Sequence, residues 1–315
     1  MAEMIATREA YGKALAFFGE KYKDVVVFDA DLSGATKTDI FKKAFPDRHF
    51  NCGIAEGNMV SVAAGMAAAG KIPFVSSFAM FTAGRAFEQI RNAIGYPHLN
   101  VKIGATHAGI SVGEDGATHQ CNEDIATMRV IPGMTVICPA DAVEAKAAVE
   151  AAIRYDGPVY LRFGRSPVPV LFEEENYTFT IGKGIVMAEG SDVTLVATGL
   201  MTSLSLEAKD ILASEGISAR VINMPTIKPI DADLLEKAAL ETGAVVVSEE
   251  HSVIGGLGSA VCEVLAERAP VPVRRVGIND KFGRSGKASE LLVYYGLTPH
   301  NIAENARRAI AAKKR

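Results

Sequence analysis

The feature that most constrains the fold is a regular alternation of short β-rich runs with helical segments. Strands buried on both faces are continuous apolar runs, and parallel strands need helical crossovers. The alternation therefore predicts an α/β protein with mostly parallel sheets covered by helices on both faces. The predicted strands are Val25–Asp29, Pro73–Phe78, Val101–Ala105, Met134–Pro139, Val159–Phe163, Val193–Thr198, Ala219–Met224, Val245–Glu249 and Val271–Ile278. The predicted helices include Glu56–Ala69, Ala86–Ile94 and Ala142–Ile153.

The alternation breaks once, between Ser166 and Gly190. This segment holds Pro167, Pro169 and the acidic run Glu173–Glu175. Proline removes a helical donor, and consecutive acids favour solvent. A chain of 315 residues that is 49% hydrophobic can bury two cores. We therefore predict two doubly wound domains, residues 1–170 and 190–315, joined by a linker at residues 171–189.

The composition excludes several classes of protein. The chain has 33 Lys and Arg against 37 Asp and Glu, so it has no basic footprint for nucleic acid. Its longest apolar run, 59–70, is too short to span a membrane, and residues 1–8 do not form a signal peptide. The four cysteines are scattered, which indicates small buried side chains in a reducing compartment. We expect a soluble cytoplasmic protein without nucleic acid or membrane partners.

The densest group of reactive side chains lies between Gly113 and Gln120. This run contains Glu114, Asp115, Thr118 and His119, and Thr106-His107 stands just upstream at the end of a predicted strand. Open α/β sheets place their sites at the carboxyl ends of strands. Such a cluster suits proton transfer or recognition of sugar hydroxyl groups. Metal binding is the alternative, but further ligands at suitable spacing are missing.

Two further candidates lie upstream of this cluster. Glu56 opens a helix of small residues, where the helix dipole alone also favours an acid. Phe78 and Phe81 follow a predicted strand and can form a flat wall for a ring, or simply contribute to the core.

Several polar residues are expected at the same sheet edge. Arg165 follows the last strand of the first half and can hold a phosphate bidentately or make a surface ion pair. Arg8 and the turn that contains Asp31 and Ser33 belong to this edge if the first strand is parallel to the others. Ser33 is alternatively a helix cap.

The second half contains a glycine-rich turn, Gly255–Ser259, after the acidic pair Glu249-Glu250 and His251. Such a turn can bind phosphate at a helix N-terminus. The preceding acids oppose this, and no G-x-G-x-x-G motif is present. We interpret these glycines as a packing turn.

Four motifs together resemble the transketolase family, specifically its C-terminal half encoded as a separate chain. They are Gly53-Ile54-Ala55-Glu56, Ser77-Phe78-Ala79-Met80-Phe81, Thr106-His107 and the run from Gly113 to Gln120. They occur in the family's order and spacing, and the likeness covers essentially the whole chain. The resemblance implies a pyrimidine-binding α/β domain followed by the transketolase C-terminal domain.

The resemblance also implies roles for single residues. Glu56 would hydrogen-bond the aminopyrimidine of thiamine diphosphate and take part in proton removal, and Phe78 and Phe81 would stack on that ring. Asp31 is assigned to the cofactor site. The implied catalytic residues are Glu56, His107 and His119, and the implied sugar-phosphate contacts are His107, Asp115, His119, Arg165, Arg8 and Ser33. The reaction would move a two-carbon ketol unit from a ketose phosphate to an aldose phosphate.

The departures from the family are equally informative. Nothing in the chain resembles the G-D-G…N motif that holds the diphosphate and its Mg²⁺ or Ca²⁺. The resemblance therefore implies an N-terminal partner subunit that carries this motif, in a heterotetramer with a shared active site. Gly84 replaces a third aromatic residue, Ala108 stands where an acid usually follows the histidine, and Ala35 replaces a phosphate-contacting serine. These changes concern sugar preference more than the class of reaction.

Three alternatives stay open. Deoxyxylulose-phosphate synthase shares the glutamate, the aromatic wall and an Asp-Gly-x-Thr-His run, while Thr106-His107 and Glu114 favour transketolase. The β chain of a 2-oxo-acid dehydrogenase has a similar length but lacks the Glu-Asp-Gly-x-Thr-His run. A non-catalytic subunit is the third, against which the joint presence of Glu56, His107, Asp115 and His119 argues.

Overall fold

The computed structural model describes residues 3–313, which form fourteen strands and twelve α-helices in that range. The strands are β1 (Met4–Ala6), β2 (Val25–Asp29), β3 (His49–Asn51), β4 (Ile72–Phe78), β5 (Lys102–Thr106), β6 (Thr135–Ile137), β7 (Val159–Arg162), β8 (Pro167–Pro169), β9 (Ile185–Ala188), β10 (Val193–Ala197), β11 (Ala219–Asn223), β12 (Thr226–Lys228), β13 (Val245–Ser252) and β14 (Val273–Ile278). The helices are α1 (Thr7–Lys21), α2 (Ser33–Thr36), α3 (Asp39–Ala44), α4 (Glu56–Ala68), α5 (Phe87–Gln89), α6 (Asp124–Arg129), α7 (Ala142–Arg154), α8 (Met201–Ser214), α9 (Ala232–Thr242), α10 (Leu257–Arg268), α11 (Ala288–Tyr294) and α12 (Pro299–Ala311).

Two large sheets carry the fold. The first has seven strands in the order β12-β6-β7-β5-β4-β2-β3, and only β12 runs antiparallel to its neighbour. The second has five strands in the order β14-β13-β10-β11-β9, with β9 antiparallel. A small antiparallel pair joins β1 to β8. The predicted α/β class with mostly parallel sheets is confirmed.

Burial on both faces explains the continuous apolar run of the central strand β2. In β2, Val25 and Val27 face one core with α1 and α7, whereas Val26 and Phe28 face another. That second core also contains Val196 and Val247 from the second sheet. Successive strand residues point to opposite faces, so both faces of each sheet must be covered. The two halves of the chain consequently share one continuous core.

Two local expectations need correction. The helix predicted at Ala86–Ile94 is mostly π-wound, with π-helical segments Met80–Arg85 and Ile90–Gly95 on either side of the one-turn α5. Strand β9 lies within residues 171–189 and pairs as an edge strand with β11. Two cysteines, Cys121 and Cys138, are buried as expected, but Cys52 and Cys262 are only half-buried.

The glycine-rich turn of the second half is a packing turn, as the sequence indicates. Strand β13 continues through His251, and the carboxylate of Glu249 turns back onto the start of α10. Glu249 Oε2 accepts from Leu257 N at 2.7 Å, and Glu249 Oε1 accepts from Gly258 N at 2.8 Å. The protein's own carboxylate thus occupies the anion position of this helix N-terminus. Of the helices between residues 3 and 313, none combines the length and apolarity needed to cross a membrane.

Candidate active site

The carboxyl ends of neighbouring parallel strands gather the predicted residues at one edge of the first sheet. Strands β7, β5, β4 and β2 are parallel and consecutive in the first sheet. Their last residues, Arg162, Thr106, Phe78 and Asp29, therefore lie at the same edge. The segments that follow these strands carry the candidate side chains. The local strand-to-loop pattern therefore positions a site at this edge.

Glu56 is the buried acid of this edge. It is the first residue of α4 and only 4% exposed. Arg85, at the end of the π-helical segment, donates from Nη1 to Glu56 Oε1 at 3.1 Å. The Arg85 side chain is 53% exposed, so one end of this ion pair opens to solvent.

An aromatic wall stands beside this ion pair. The rings of Phe78 and Phe81 stack with centroids 5.6 Å apart, and His119 meets Phe81 edge-on at 5.2 Å. His107 stacks on Phe78 at 3.8 Å. The guanidinium of Arg85 lies over the Phe81 ring, 4.0 Å from its centroid. Arg85 thus links Glu56 to both phenylalanines and both histidines in one contiguous set of contacts.

His107 has a strained backbone conformation and is buried away from solvent. Its backbone has φ of +56°, which L-residues rarely adopt, and its side chain is only 3% exposed. Its Nδ1 pairs with Thr106 Oγ1 at 2.9 Å. Burial, followed by the charges of Arg8, Arg165 and His119, lowers the pKa of His107 to about 3. The imidazole is therefore neutral at physiological pH and offers one donor and one acceptor.

Two arginines lie near this histidine. Arg165 pairs with Glu114 Oε2 at 3.0 Å, and Arg8 donates from Nε to the Arg165 carbonyl at 3.3 Å. Arg8 also donates from Nη1 to Ala35 O at 2.6 Å. Burial, with a smaller effect of Arg165, lowers the pKa of Arg8 below its usual value. The arginines supply positive charge at the sheet edge, while Asp115 is exposed in the adjoining loop.

The turn after β2 reaches the same edge. Asp31 has φ of +64°, and Asn51 links it to the start of the α4 segment, since Asn51 Oδ1 accepts from both Asp31 N and Gly53 N at 3.0 Å. Ser33 is the first residue of α2 and not its cap, because Leu32 occupies the cap position. The helix-cap alternative for Ser33 is thus wrong.

A cleft of about 710 Å³ opens beside the aromatic wall. The first half lines it with Phe81, Arg85 and Thr118, and the second half lines it with Lys281 and Phe282. Sequence analysis missed this contribution of the second half. Gln120 connects the two halves beside this cleft, because its Nε2 donates to Gly113 O and to Arg284 O, both at 3.0 Å.

A buried polar network supports the loop from behind. The carboxylate of Glu250 accepts from Ser111 N, and Arg162 pairs with Asp124 at 2.8 Å and donates to the Glu250 carbonyl at 2.9 Å. Gly109, with φ of +81°, lies so close that a Cβ there would be 2.4 Å from Glu250 Cδ. The loop after His107 is therefore seated on a side chain of the second half. Burial raises the pKa of Glu250.

Arg85 is the other residue that sequence analysis missed. The available signal was its spacing, because residues four apart, such as Phe81 and Arg85, lie on one face of a helical turn.

The candidate site contains two carboxylates, Glu56 and Asp115. Within residues 3–313, however, no group of three Asp, Glu, His or Cys side chains could hold a metal ion.

Comparison with known proteins identifies the family. Residues 3–170 match the transketolase pyrimidine-binding domain, and residues 182–302 match the transketolase C-terminal domain. The chain belongs to the transketolase family.

Three relatives match over nearly their whole length. A putative transketolase C-terminal section of Methanocaldococcus jannaschii is 53% identical, with 94% of each chain covered. A 6-deoxy-6-sulfo-D-fructose transketolase subunit of Clostridium sp. is 43% identical, over 97% of this chain and 95% of the relative. One subunit of an apulose-4-phosphate transketolase of Phocaeicola vulgatus is 38% identical, over 96% of this chain and 97% of the relative.

One solved structure is similar throughout. It is described as a split gene transketolase, inactive beta4 tetramer, and is 54% identical with a TM-score of 0.91. The match covers 99% of this chain and 100% of that chain. This chain is thus similar in sequence and fold to the subunit of a split transketolase.

Proposed function

We propose that this chain is the C-terminal subunit of a thiamine diphosphate-dependent transketolase whose active site is shared with an N-terminal subunit. The reaction is the transfer of a two-carbon ketol unit from a ketose phosphate to an aldose phosphate. The single observation that carries the proposal is a contiguous set of contacts, in which Arg85 links buried Glu56 to the Phe78–Phe81 wall and this wall contacts His107 and His119. The family membership gives this set its chemical context.

The residues of this edge fit an aminopyrimidine ring. Phe81 presents a ring face on which a flat cation already lies at 4.0 Å, and Glu56 Oε1 accepts an N–H from that same cation. An aminopyrimidine also needs an aromatic face to stack on and a carboxylate to hydrogen-bond with its edge. Bound there, thiamine diphosphate supplies the carbon nucleophile and the electron sink that the protein's own side chains lack.

The chain's own residues have distinct tasks in this proposal. Glu56 holds a proton at the pyrimidine ring, and Phe81 and Phe78 fix the plane of that ring. His107, neutral because burial lowers its pKa to about 3, hydrogen-bonds sugar oxygens without bringing a charge. His119 and Asp115 complete this wall, with Asp31 at the cofactor end.

The sugar phosphate is proposed to lie against Arg8 and Arg165, with Ser33 as a further contact. Guanidinium groups bind phosphate oxygens bidentately. The relatives are named for different sugars, a sulfofructose and apulose 4-phosphate. Parallel assays of several ketose and aldose phosphates would measure the sugar preference of this chain.

We further propose that the N-terminal subunit carries the diphosphate and most ligands of its Mg²⁺ or Ca²⁺, in a heterotetramer, and that the enzyme is cytoplasmic. Support comes from the words "section" and "subunit" in the names of relatives that this chain covers almost completely. The free cysteines fit a reducing compartment.

The decisive test is reconstitution. This chain, mixed with the neighbouring-gene chain that carries a G-D-G…N motif, thiamine diphosphate and Mg²⁺, should move two carbons between sugar phosphates such as xylulose 5-phosphate and ribose 5-phosphate. Glu56→Gln in the same mixture should lower kcat/KM by about 100-fold or more, because a positioned proton-transfer group contributes on that scale. Glu207→Gln, a change of an exposed acid on α8, is the matched control.

Two outcomes would contradict the proposal. Comparable activity of this chain without the second subunit would refute the shared site, and full activity of Glu56→Gln would remove that carboxylate from the mechanism. Release of CO₂ from pyruvate in place of ketol transfer would instead favour the two decarboxylating alternatives, deoxyxylulose-phosphate synthase and a 2-oxo-acid dehydrogenase.

A further inference from the structure

Arg85 makes two contacts that no role in the proposed function requires. Its Nη1 donates to Glu56 Oε1 at 3.1 Å, and its guanidinium lies 4.0 Å above the Phe81 ring. The first partner is a carboxylate with 4% exposure and the second is the outer ring of the aromatic wall. A planar cation thus contacts the same ring and the same acid that the proposed function gives to the cofactor's pyrimidine.

We propose that Arg85 is a placeholder, which occupies the pyrimidine position while the cofactor is absent and turns away when it binds. This inference rests on the proposed function. A guanidinium is flat and presents N–H groups at its edge, so it imitates an aminopyrimidine in shape and in hydrogen bonding. Arg85 thus keeps the buried carboxylate of Glu56 paired before the partner subunit and the cofactor bind.

The energetics favour such an exchange. An unpaired carboxylate at 4% exposure is costly, so some cation or donor must face Glu56 at all times. Arg85 is 53% exposed, so its release into water costs little. Contacts of this kind in partly exposed positions are individually weak. The placeholder is therefore strong enough to order the site and weak enough to be displaced.

The local backbone supports the movement. Arg85 ends the π-helical segment Met80–Arg85 and follows the exposed Gly84, and π-helical turns in proteins are frequent at functional sites. Arg85 lines the 710 Å³ cleft together with two acids, Glu123 and Asp280. After displacement the side chain turns into this cleft, where these carboxylates receive the guanidinium charge.

The first experiment concerns the cofactor-free chain alone. Arg85→Ala should lower its melting temperature, because Glu56 stays buried without a partner. The double variant Glu56→Gln/Arg85→Ala should recover most of that loss. Arg91→Ala changes an exposed arginine on the next π-helical segment, Ile90–Gly95, whose side chain contacts Asn92, and should have little effect. Additive effects of the Glu56 and Arg85 changes would overturn the placeholder without touching the proposed function.

The second experiment measures thiamine diphosphate binding by calorimetry, with Mg²⁺, to the complex with the N-terminal subunit. Arg85→Ala should bind the cofactor about three- to tenfold tighter than wild type, since the competing contacts are gone. Arg85→Lys should fall between them, because an ammonium keeps the charge but not the flat shape. Arg91→Ala should match wild type.

The sign of this change separates the possible roles of Arg85. Weaker or unchanged binding in Arg85→Ala would overturn the placeholder and would indicate that Arg85 stays on Glu56 to orient it. Absence of any cofactor binding by the wild-type complex would instead refute the proposed function, and the placeholder with it.

Discussion

At the scale of single residues, the site is defined by side chains whose charge depends on burial. His107 is the extreme case, because its buried ring stacks on Phe78 and is influenced by the positive charges of Arg8 and Arg165. Its pKa is lowered to about 3. An unfolded histidine has a pKa of about 6.5. Between these values the unfolded chain binds a proton that the folded chain does not, so stability decreases as the pH falls through this window.

This linkage gives a measurable prediction. At pH 5, His107 lowers the free energy of unfolding by about 2 kcal/mol, and this effect vanishes above pH 7. The His107→Gln variant should therefore lose about 2 kcal/mol less than wild type between pH 7 and pH 5 in urea unfolding. His300→Gln, a change of an exposed histidine, is the control. Parallel pH curves for wild type and His107→Gln would show that His107 titrates normally.

At the scale of elements, helix N-termini distinguish structural acids from functional ones. Glu249 and Glu56 are both buried near a helix start, but Glu249 accepts two backbone N–H groups of α10. Glu56 instead faces the cation Arg85. The carboxylate of Glu249 caps the N-terminus of α10, whereas Glu56 remains available to a ligand that displaces Arg85.

A substitution should separate these two kinds of acid. Glu249→Ala removes both N–H acceptors of α10 in a buried place, and we expect it to lower the free energy of unfolding by about 1–3 kcal/mol. Chemical denaturation monitored by circular dichroism measures this loss. Glu267→Ala lies on an exposed turn of the same helix and should change stability by less than about 0.5 kcal/mol. An equal effect of both variants would mean that α10 does not depend on Glu249.

At the scale of the whole molecule, the two halves are joined through a shared core and through buried polar contacts. Strand β12 of the second half completes the first sheet beside β6. Asn223 donates from Nδ2 to Glu144 Oε1 at 2.8 Å across the halves, and burial raises the pKa of Glu144 to about 7. Such a buried contact is costly to break.

We expect both halves to lose stability together when this contact is removed. Asn223→Ala should lower the free energy of unfolding by about 1–3 kcal/mol, since the buried carboxyl group of Glu144 loses one of its donors and keeps Ala140 N and Tyr177 OH. Hydrogen exchange should then quicken in β5 and in β10 alike. Asn279→Ala, at an exposed asparagine, is the control. Faster exchange confined to the second half would show that the halves unfold independently.

The sequence singled out side chains that lie in motifs, and it missed side chains that only spatial contact adds. Glu56, Phe81, His107 and His119 were singled out because each lies in a short segment that follows a strand, and their roles stay predictions. Glu250 and Arg85 were not found. Glu250 contacts Ser111, which is 139 residues away along the chain, and Arg85 looks like any exposed helical arginine until Phe81 and Glu56 are seen against it.

The sequence by itself indicated nine of the fourteen strands between residues 3 and 313, the parallel class of the sheets and the motifs that identify the family. It did so because apolar periodicity and turn chemistry are local properties. Only the tertiary structure decided which side chains meet: the strand order brings four strand ends to one edge, and burial neutralises His107. The same geometry seats Arg85 on Phe81 and Glu56. Burial and electrostatic contact depend on distance in space, which local sequence does not encode.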